Sequence, residues 1–278
     1  YRGNLFLASL KLRGCFGELG DSISFIHPYR ETMMDLGIRA FWYDLPETRE
    51  EEYIQWLHEE HLPQILARPG FLWAGHYKLT GGGEGMKKVQ ESVVRYVDDP
   101  KVGRGTGYLM MIGALNTDIF FDPNLPQISE RWDKETFEMV SLRQGLRTSV
   151  FHEQTRVNGP AFSRRPPDTA PGPVIQMGAF NADTPEDEEA LGAWYVQYRL
   201  PNMTRIEGCI AARKLLSVSG WGKHSVLYEF TSFEEREMNF EKDQEVLALD
   251  ETAWTGRIIK YLTHGPGSPS VGQRIWPI

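Results

Sequence analysis

The sequence predicts an α+β protein built from two βαββαβ units in tandem. Three observations lead to this class. A segment recurs at an offset of 138 residues, and the order of strand-like and helix-like segments is the same in both copies. The composition is that of a globular protein, with 41% apolar and 24% charged residues, and 278 residues are enough to bury a sizeable core.

The repeat is clearest between residues 50–78 and residues 188–216, which align without a gap. Ordinary composition would give about two identities over such a window, and seven are present. In the first copy they are Glu50, Glu51, Trp56, Leu62, Pro63, Gly70 and Ala74; in the second they are Glu188, Glu189, Trp194, Leu200, Pro201, Gly208 and Ala212. We therefore expect both copies to share one fold.

The first copy predicts a complete βαββαβ unit. The aromatic-rich segment Ile38–Leu45 alternates as a strand does, and the acidic turn after Pro46 suits the start of a helix. Pro63 lacks an N–H, so the helix is expected to kink or restart there. The remaining predicted elements are the strands Phe71–Leu79, Tyr108–Leu115 and Arg147–Arg156 and a helix over 125–145.

The second copy repeats this order. Its predicted elements are the strands Val174–Phe180, Cys209–Val218, Ser225–Thr231 and Arg257–Thr263 and the helices Pro185–Arg205 and Glu234–Leu249. We divide the chain into an N-terminal arm (1–36), a first repeat (37–157), a Pro-rich linker (158–173), a second repeat (174–264) and an irregular C-terminal tail (265–278). Residues 1–32 either pack on the barrel or a neighbouring subunit, or are extraneous and poorly ordered.

A βαββαβ unit is the ferredoxin-like motif, in which helices cover one face of an antiparallel sheet. The bare face has to be buried, and a second sheet is the natural partner. We therefore expect the two ferredoxin-like repeats to pack their sheets face to face as an intrachain α/β barrel. Any larger homo-oligomer is then expected to use helix faces or the terminal arms.

One group of residues resembles a known family. His61-Leu62-Pro63 follows Trp56 and precedes Pro69-Gly70-Phe71 and the strand Ala74–Tyr77. This pattern resembles the EthD-like branch of the dimeric α/β-barrel superfamily, over both copies. The resemblance implies the barrel fold. It leaves the chemistry open, because the superfamily includes cofactor-free monooxygenases, cyclases, isomerases, haem-dependent enzymes and members without a known reaction.

The first copy is the better catalytic candidate. His61, His76 and Tyr43 are the predicted catalytic residues, because histidine can act as both acid and base near neutral pH. The position of His61 corresponds to Arg199 in the second copy, which cannot act as a base, so that copy is expected to be silent. If His61 is the base, activity should rise with pH through about 6.5. The predicted substrate-binding residues are Trp42, Trp56, Trp73 and Tyr77.

Each candidate also has a structural interpretation. His61 could cap the helix before Pro63, and the direction of His76 depends on the register of a strand in which Trp73 and Tyr77 share the opposite face. Tyr43 and the tryptophans could belong to the core. His58 is interpreted as a solvated helix residue.

The sequence contains only weak motifs for binding a metal ion, haem or a nucleotide, so neither a cofactor nor a metal is predicted. His58 and His61 are three residues apart and could share a helix face, but no third metal ligand is evident. Haem-using relatives need an axial histidine in the second copy, where His224 and His264 are the choices. The glycine-rich loops lack the strand–helix context of a phosphate site.

Composition excludes several classes. A net charge of −8 argues against a nucleic-acid partner, and two cysteines cannot form a disulfide framework. No apolar run approaches the roughly 20 residues needed to cross a bilayer, so no membrane partner is expected and a cytoplasmic location is the default.

These observations favour a cofactor-independent acid–base enzyme, of isomerase, cyclase or lyase type, acting on a small apolar cyclic or aromatic metabolite. Two alternatives stay open. One is a cofactor-free monooxygenase, in which histidine deprotonates a phenol-like substrate that then reacts with oxygen. The other is a non-catalytic small-molecule-binding or stress-response module.

Overall fold

A computed structural model describes residues 35–81, 94–165, 169–241 and 254–278. The described strands are β1 (Gly37–Asp44), β2 (Phe71–Leu79), β3 (Arg95–Tyr96), β4 (Tyr108–Ala114), β5 (Gln144–Asn158), β6 (Val174–Ala182), β7 (Cys209–Gly220), β8 (His224–Phe230), β9 (Leu262–His264) and β10 (Ser270–Trp276). The described α-helices are α1 (Glu50–Trp56), α2 (Leu62–Leu66), α3 (Leu125–Ser129), α4 (Lys134–Ser141), α5 (Pro185–Trp194), α6 (Leu200–Met203), α7 (Phe233–Arg236) and α8 (Trp254–Ile259). The predicted arm falls almost entirely outside the described residues.

Eight antiparallel strands close into a barrel within this one chain. Their order is β10-β2-β4-β1-β5-β7-β8-β6, and β10 pairs with both β2 and β6, which completes the ring. The α+β class and the intrachain barrel are therefore confirmed. The predicted arrangement of two separate sheets packed face to face needs a correction, because β5 pairs with β7 from Ser149 opposite Gly220 to Asn158 opposite Ala211. The two halves thus form one continuous hydrogen-bonded sheet.

The closing strand β10 occupies the segment that we predicted to be an irregular tail. Val271 is fully buried, and Gly272 pairs with Leu79 of β2 and with Ile175 of β6. A Cβ atom at Gly272 would lie 2.6 Å from the Lys78 carbonyl oxygen, so glycine permits this close approach. The sequence predicted an irregular segment because glycine and proline are frequent in it. The strand forms by pairing with partners that are distant in sequence.

Alternation along the strands separates two cores. Ile38, Ala40 and Trp42 of β1 belong to a buried cluster drawn from strands of both halves, inside the barrel. Phe41 and Tyr43 belong to a cluster shared with the helices of the first half, outside the barrel. A side chain on β1 therefore faces either the barrel interior or the helix layer, according to its position in the alternation.

In both repeats a π-helical turn precedes the helix that starts with a Leu-Pro pair, Leu62-Pro63 in α2 and Leu200-Pro201 in α6. The turns are Leu57–His61, between α1 and α2, and Tyr195–Arg199, between α5 and α6. Each residue of the second turn lies 138 positions after its counterpart in the first. The predicted break at Pro63 is thus a widened turn, which accommodates a residue that cannot donate to the preceding turn.

Two other predicted elements differ from the structure. The helix predicted over 125–145 is divided into α3 and α4, because the Asp133 side chain accepts a hydrogen bond from the Thr136 N–H and starts a new helix. The strand predicted from Arg257 begins only at Leu262, since Arg257 belongs to α8. In the described part of the chain, no helix combines the length and the apolar character needed to cross a membrane.

Candidate active site

A cavity of about 400 Å³ lies in the first half of the chain, between the outer face of the barrel and the helices. Its volume falls in the range of small-molecule pockets, about 300–1,000 Å³. Most of its wall is apolar and comes from β1, β2, β4, α2 and the segment from Asp118 to Val140. The apolar residues are Phe41, Ile65, Phe71, Met110, Ile112, Ile119, Phe120, Leu125, Ile128, Trp132 and Val140. A more open cleft of about 340 Å³ shares His61, Arg68 and Trp132 with it, which gives the cavity a route to solvent.

The charged side chains that line this cavity are all basic. Arg39, Arg68 and Arg143 contribute to the wall together with His61, and no carboxylate belongs to the lining. Burial, followed by the charge of Arg68, lowers the pKa of Arg39 to about 10. Positive charge in an apolar cavity favours a ligand that carries, or develops, a negative charge.

His61 is the predicted catalytic residue that reaches the cavity. It ends the π-helical turn, and its ring stacks on Trp56 with centroids 4.6 Å apart. Within the described residues, no protein group forms a hydrogen bond with this ring. Burial, and secondarily the charge of Arg143, lowers the pKa of His61 to about 4. The expected rise of activity through pH 6.5 therefore shifts to lower pH, and the ring is neutral at pH 7.

Arg143 was not singled out from the sequence, yet it joins the cavity to the buried polar residues behind it. Its Nε donates to the Tyr53 hydroxyl over 2.7 Å, and its guanidinium lies 5.3 Å from the centre of the Tyr43 ring. Its Nη2 is buried and has no hydrogen-bond partner in the described protein. No motif marked this arginine, because it follows α4 in a segment that is unremarkable in the sequence.

His76 and Tyr43 belong to a buried hydrogen-bonded chain that starts at Arg143. Tyr53 donates to the Tyr43 oxygen over 3.2 Å, the Tyr43 hydroxyl lies 2.9 Å from His76 Nε2, and His76 Nδ1 lies 2.8 Å from His58 Nε2. Arg143 can only donate, and Tyr53 uses its single hydroxyl proton in the bond to Tyr43, so the chain runs from Arg143 towards His58. Each group then donates to the next, with His76 protonated on Nδ1.

The protonation states of this chain follow from its burial. Desolvation raises the pKa of Tyr43 well above its usual value, so its hydroxyl keeps its proton. Desolvation also lowers the pKa of His76 well below its usual value, and the nearby His58 and Arg143 add to that effect. Both groups are therefore neutral at pH 7. Their hydrogen bonds connect them to Arg143 through Tyr53, and neither lines the cavity.

His58 differs from the sequence interpretation, since it is not a solvated helix residue. It is half-buried, bonds His76 and stacks over Trp276 with ring centroids 5.9 Å apart. Burial lowers its pKa to about 4. His58 and His61 also point to different partners, and in the described part of the chain no group of three or more His, Cys, Asp or Glu side chains could hold a metal ion.

Three of the predicted substrate-binding residues lie on the other face of the sheet. Trp42, Trp73 and Tyr77 belong to the cluster inside the barrel, because their positions alternate with those of Tyr43 and His76. Their polar atoms are engaged there: Trp42 Nε1 donates to Ser270 Oγ over 3.1 Å, Trp73 Nε1 to Asp35 Oδ2 over 2.6 Å, and Tyr77 Oη to the Pro171 carbonyl over 2.8 Å. Trp56, the fourth, supports the His61 ring from outside the cavity lining.

Neither of the two histidines considered as haem ligands lines the cavity of the first half. His224 Nδ1 lies 3.1 Å from Lys214 Nζ, and its Nε2 lies 3.6 Å from Glu188 Oε1. His264 is buried, with its ring centroid 5.5 Å from that of Phe180. No step of the chemistry below uses haem.

No protein-family model matches this sequence, and no curated protein matches it. Solved structures do match its fold. A protein of Fusobacterium nucleatum subsp. nucleatum ATCC 25586 described as "Putative monooxygenase" is 10% identical, with a TM-score of 0.51 over 86% of this chain and 93% of that chain. An "anthrone oxidase-like protein" is 14% identical, with a TM-score of 0.47 over 86% and 91% of the two chains. A "Putative Chlorite dismutase" is 14% identical, with a TM-score of 0.48 over 86% and 94%.

At 10% identity, the first likeness shows the fold alone. The reaction has to be inferred from the residues of the cavity.

Proposed function

We propose that this protein is a cofactor-independent acid–base enzyme, of isomerase, cyclase or lyase type. Its substrate would be a small apolar cyclic or aromatic metabolite with a carbonyl or hydroxyl oxygen. One observation carries the proposal: a neutral histidine and an arginine with an unpartnered N–H, His61 and Arg143, line the same apolar cavity. Proton abstraction next to a carbonyl requires a general base and a hydrogen-bond donor that stabilises the developing oxyanion.

The proposed step balances without a cofactor. A ring nitrogen of His61 takes a proton from the carbon next to the substrate carbonyl. The electron pair of that C–H bond forms a C=C bond, and the π pair of the carbonyl moves to its oxygen. The guanidinium of Arg143 stabilises the resulting enolate, and the apolar wall excludes water. Where a C=C bond of the substrate is conjugated with the enolate, return of the proton to the far end of that system gives isomerisation. Attack of the enolate carbon on a second carbonyl, whose oxygen then takes the proton from His61, gives cyclisation.

Tyr43 and His76 have a positioning role in this proposal. Tyr43 accepts a hydrogen bond from the Tyr53 hydroxyl, and the Tyr53 oxygen in turn accepts one from Arg143 Nε. His76 Nε2 accepts a hydrogen bond from the Tyr43 hydroxyl. The guanidinium is thereby held at the cavity wall with its Nη2 group available to a ligand.

We also propose that the chain arose by tandem duplication within the EthD-like branch, with repeats at 37–157 and 174–264. The strand orders support this: β5-β1-β4-β2 in the first half corresponds to β9-β6-β8-β7 in the second. The π-helical turns at Leu57–His61 and Tyr195–Arg199 also match at the repeat offset.

Cofactor-free monooxygenation is the second candidate. It is favoured by the description of the Fusobacterium neighbour as "Putative monooxygenase". The same cavity suits it, since His61 would deprotonate a phenol, Arg143 would hold the phenolate, and the phenolate would react directly with oxygen. Oxygen uptake during turnover distinguishes this reaction from isomerisation or cyclisation.

Proton abstraction can be tested with the bicyclic ketone 2-tetralone, which has acidic C–H bonds next to its carbonyl. Binding is followed by tryptophan fluorescence, because Trp132 lines the cavity. Exchange of the acidic hydrogens for deuterium in D₂O is followed by NMR. We expect His61→Phe to slow the protein-catalysed exchange by about 10²–10⁴ and to keep the stacking on Trp56. The matched control is His264→Phe, the same substitution in the second half of the chain.

The outcomes separate the candidate functions. Exchange that is lost in His61→Phe and kept in His264→Phe supports the acid–base enzyme. Saturable binding without accelerated exchange refutes proton abstraction and favours a binding module. Equal exchange rates in the wild type and His61→Phe remove His61 as the base.

A further inference from the structure

A second cleft, of about 670 Å³, lies on the second half of the chain. It is bordered by α5, by the start of β8 at His224 and by Lys214 of β7. Lys214 stands 138 positions after His76 in the repeat. The sequence predicts that this copy is silent, but that expectation rests on Arg199, whose Nε donates to Tyr228 over 3.0 Å in the core.

Lys214 is the buried cation of this cleft. Its side chain lines the cleft although only 3% of the residue is exposed. The Nζ atom donates to the Leu215 carbonyl over 3.1 Å and lies 3.1 Å from His224 Nδ1. The rings of Tyr195 and Phe180 lie 5.3 and 5.9 Å from Nζ. An amine held between aromatic rings and one imidazole nitrogen is poorly hydrated.

Glu188 and His224 complete a line of three groups that ends at Lys214. An ammonium group can only donate, so His224 accepts at Nδ1 and carries its own proton on Nε2. That Nε2 is buried without a hydrogen-bond partner in the described protein and lies 3.6 Å from Glu188 Oε1. A nucleophile beside a base is a recurring arrangement in covalent catalysis, and Glu188 places a carboxylate near the other ring nitrogen of this base.

Electrostatics favours the reactive forms of both groups. Burial lowers the pKa of Lys214 to about 7, so a large fraction of its amine is neutral at pH 7. Burial, followed by the charge of Lys214, lowers the pKa of His224 to about 4, which keeps the imidazole available as a base. The other titratable groups that face the Lys214–His224 pair or line the cleft are Glu186, Glu188, Glu189, Tyr195 and Lys223.

We propose that this cleft is a second reactive site, in which Lys214 forms an imine with the carbonyl carbon of a small aldehyde or ketone. The neutral amine attacks the carbonyl carbon and forms a C–N bond, and the carbonyl oxygen becomes a hydroxyl. His224 takes the proton that the nitrogen loses and returns one to the departing hydroxyl. The products are one imine and one water molecule, so the step needs no oxidant or reductant.

This inference uses none of the residues of the first cavity, so it can fail independently of the proposed acid–base function. Its substrate class is set by the amine, which requires an electrophilic carbon. The carboxylates of α5 at the cleft disfavour an anionic carbonyl compound. We therefore expect a neutral aldehyde or ketone.

The experiment is reductive trapping of the folded full-length protein with acetaldehyde and sodium cyanoborohydride at pH 7, followed by peptide mass spectrometry. Cyanoborohydride reduces an imine to a stable secondary amine. Exposed Lys101 and Lys134 serve as internal references. A lysine of pKa 7 has roughly 10³ times more neutral amine at pH 7 than one of pKa 10.4. Even with restricted access, we expect Lys214 to be labelled at least about 10-fold faster than either reference.

Variants test the relay, and circular dichroism checks their folding. Glu188→Gln and His224→Asn should slow labelling at Lys214 and leave Lys101 and Lys134 unchanged. Lys214→Arg keeps the charge and should abolish the fast-labelled site. Labelling of Lys214 no faster than the references, or only after unfolding in urea, overturns the proposal. Fast labelling that persists in Glu188→Gln and His224→Asn overturns the role of the relay.

Discussion

Replacing Tyr43 with phenylalanine should destabilise the protein far more than the loss of one hydroxyl group normally does. Tyr43 is fully buried, and its oxygen stands in the middle of the chain from Arg143 to His58. Without it, the Tyr53 hydroxyl loses its acceptor and His76 Nε2 loses its donor. Leaving a buried polar group unsatisfied costs about 1–3 kcal/mol. Two such groups therefore predict a loss of roughly 2–6 kcal/mol in the free energy of unfolding.

The matched control is Tyr77→Phe. Tyr77 is also fully buried, and its hydroxyl donates to the Pro171 carbonyl over 2.8 Å. That carbonyl keeps a second donor, because Arg274 Nη1 also lies 2.8 Å from it. The control variant therefore leaves the Pro171 carbonyl with a donor, and its expected cost is about 1 kcal/mol.

Urea unfolding followed by tryptophan fluorescence measures both variants against the wild type. The free-energy loss of Tyr43→Phe should exceed that of Tyr77→Phe by roughly 1–5 kcal/mol. Equal losses would show that the Tyr43 hydroxyl is not part of a continuous chain. The proposed positioning of Arg143 by Tyr43 and His76 would then lose its support.

Two further predictions concern charge. Arg143→Met should raise the pKa of His61 above about 4, because the positive charge of Arg143 lowers that pKa in addition to burial. An NMR titration of His61 measures the change. An unchanged midpoint would show that the two groups do not interact. Lowering the pH from 7 to 5 should destabilise the protein, because burial, aided by the charge of Arg95, lowers the pKa of His264 to about 4, so the unfolded chain binds a proton near pH 6.5 that the folded chain does not. This group alone predicts a loss of about 2 kcal/mol in the free energy of unfolding between pH 7 and pH 5. His264→Phe should remove that part of the pH dependence, which urea unfolding of the variant and the wild type at both pH values measures. The same pH dependence in both proteins would contradict the prediction.

Local pattern and the repeat were sufficient to predict much of the architecture. Alternation along β1, the proline break after His61 and the recurrence of both features at a fixed offset are properties of neighbouring residues. They predicted the α+β class, the order of the main strands and helices and the closure of the barrel within one chain. They also predicted that His61 is a catalytic candidate, and the structure places this residue at the cavity.

Tertiary structure alone decided which side chains meet. The sequence shows that Trp42 and Tyr43 face opposite sides of a strand, but it does not show which side holds a cavity. Packing fills the barrel interior with Trp42 and leaves the space on the helix side. Arg143 reaches that space from a loop, and β10 closes a barrel whose other strands are encoded far from it. These contacts join residues that are distant in sequence, so no local pattern records them; they arise when the chain buries both faces of one sheet.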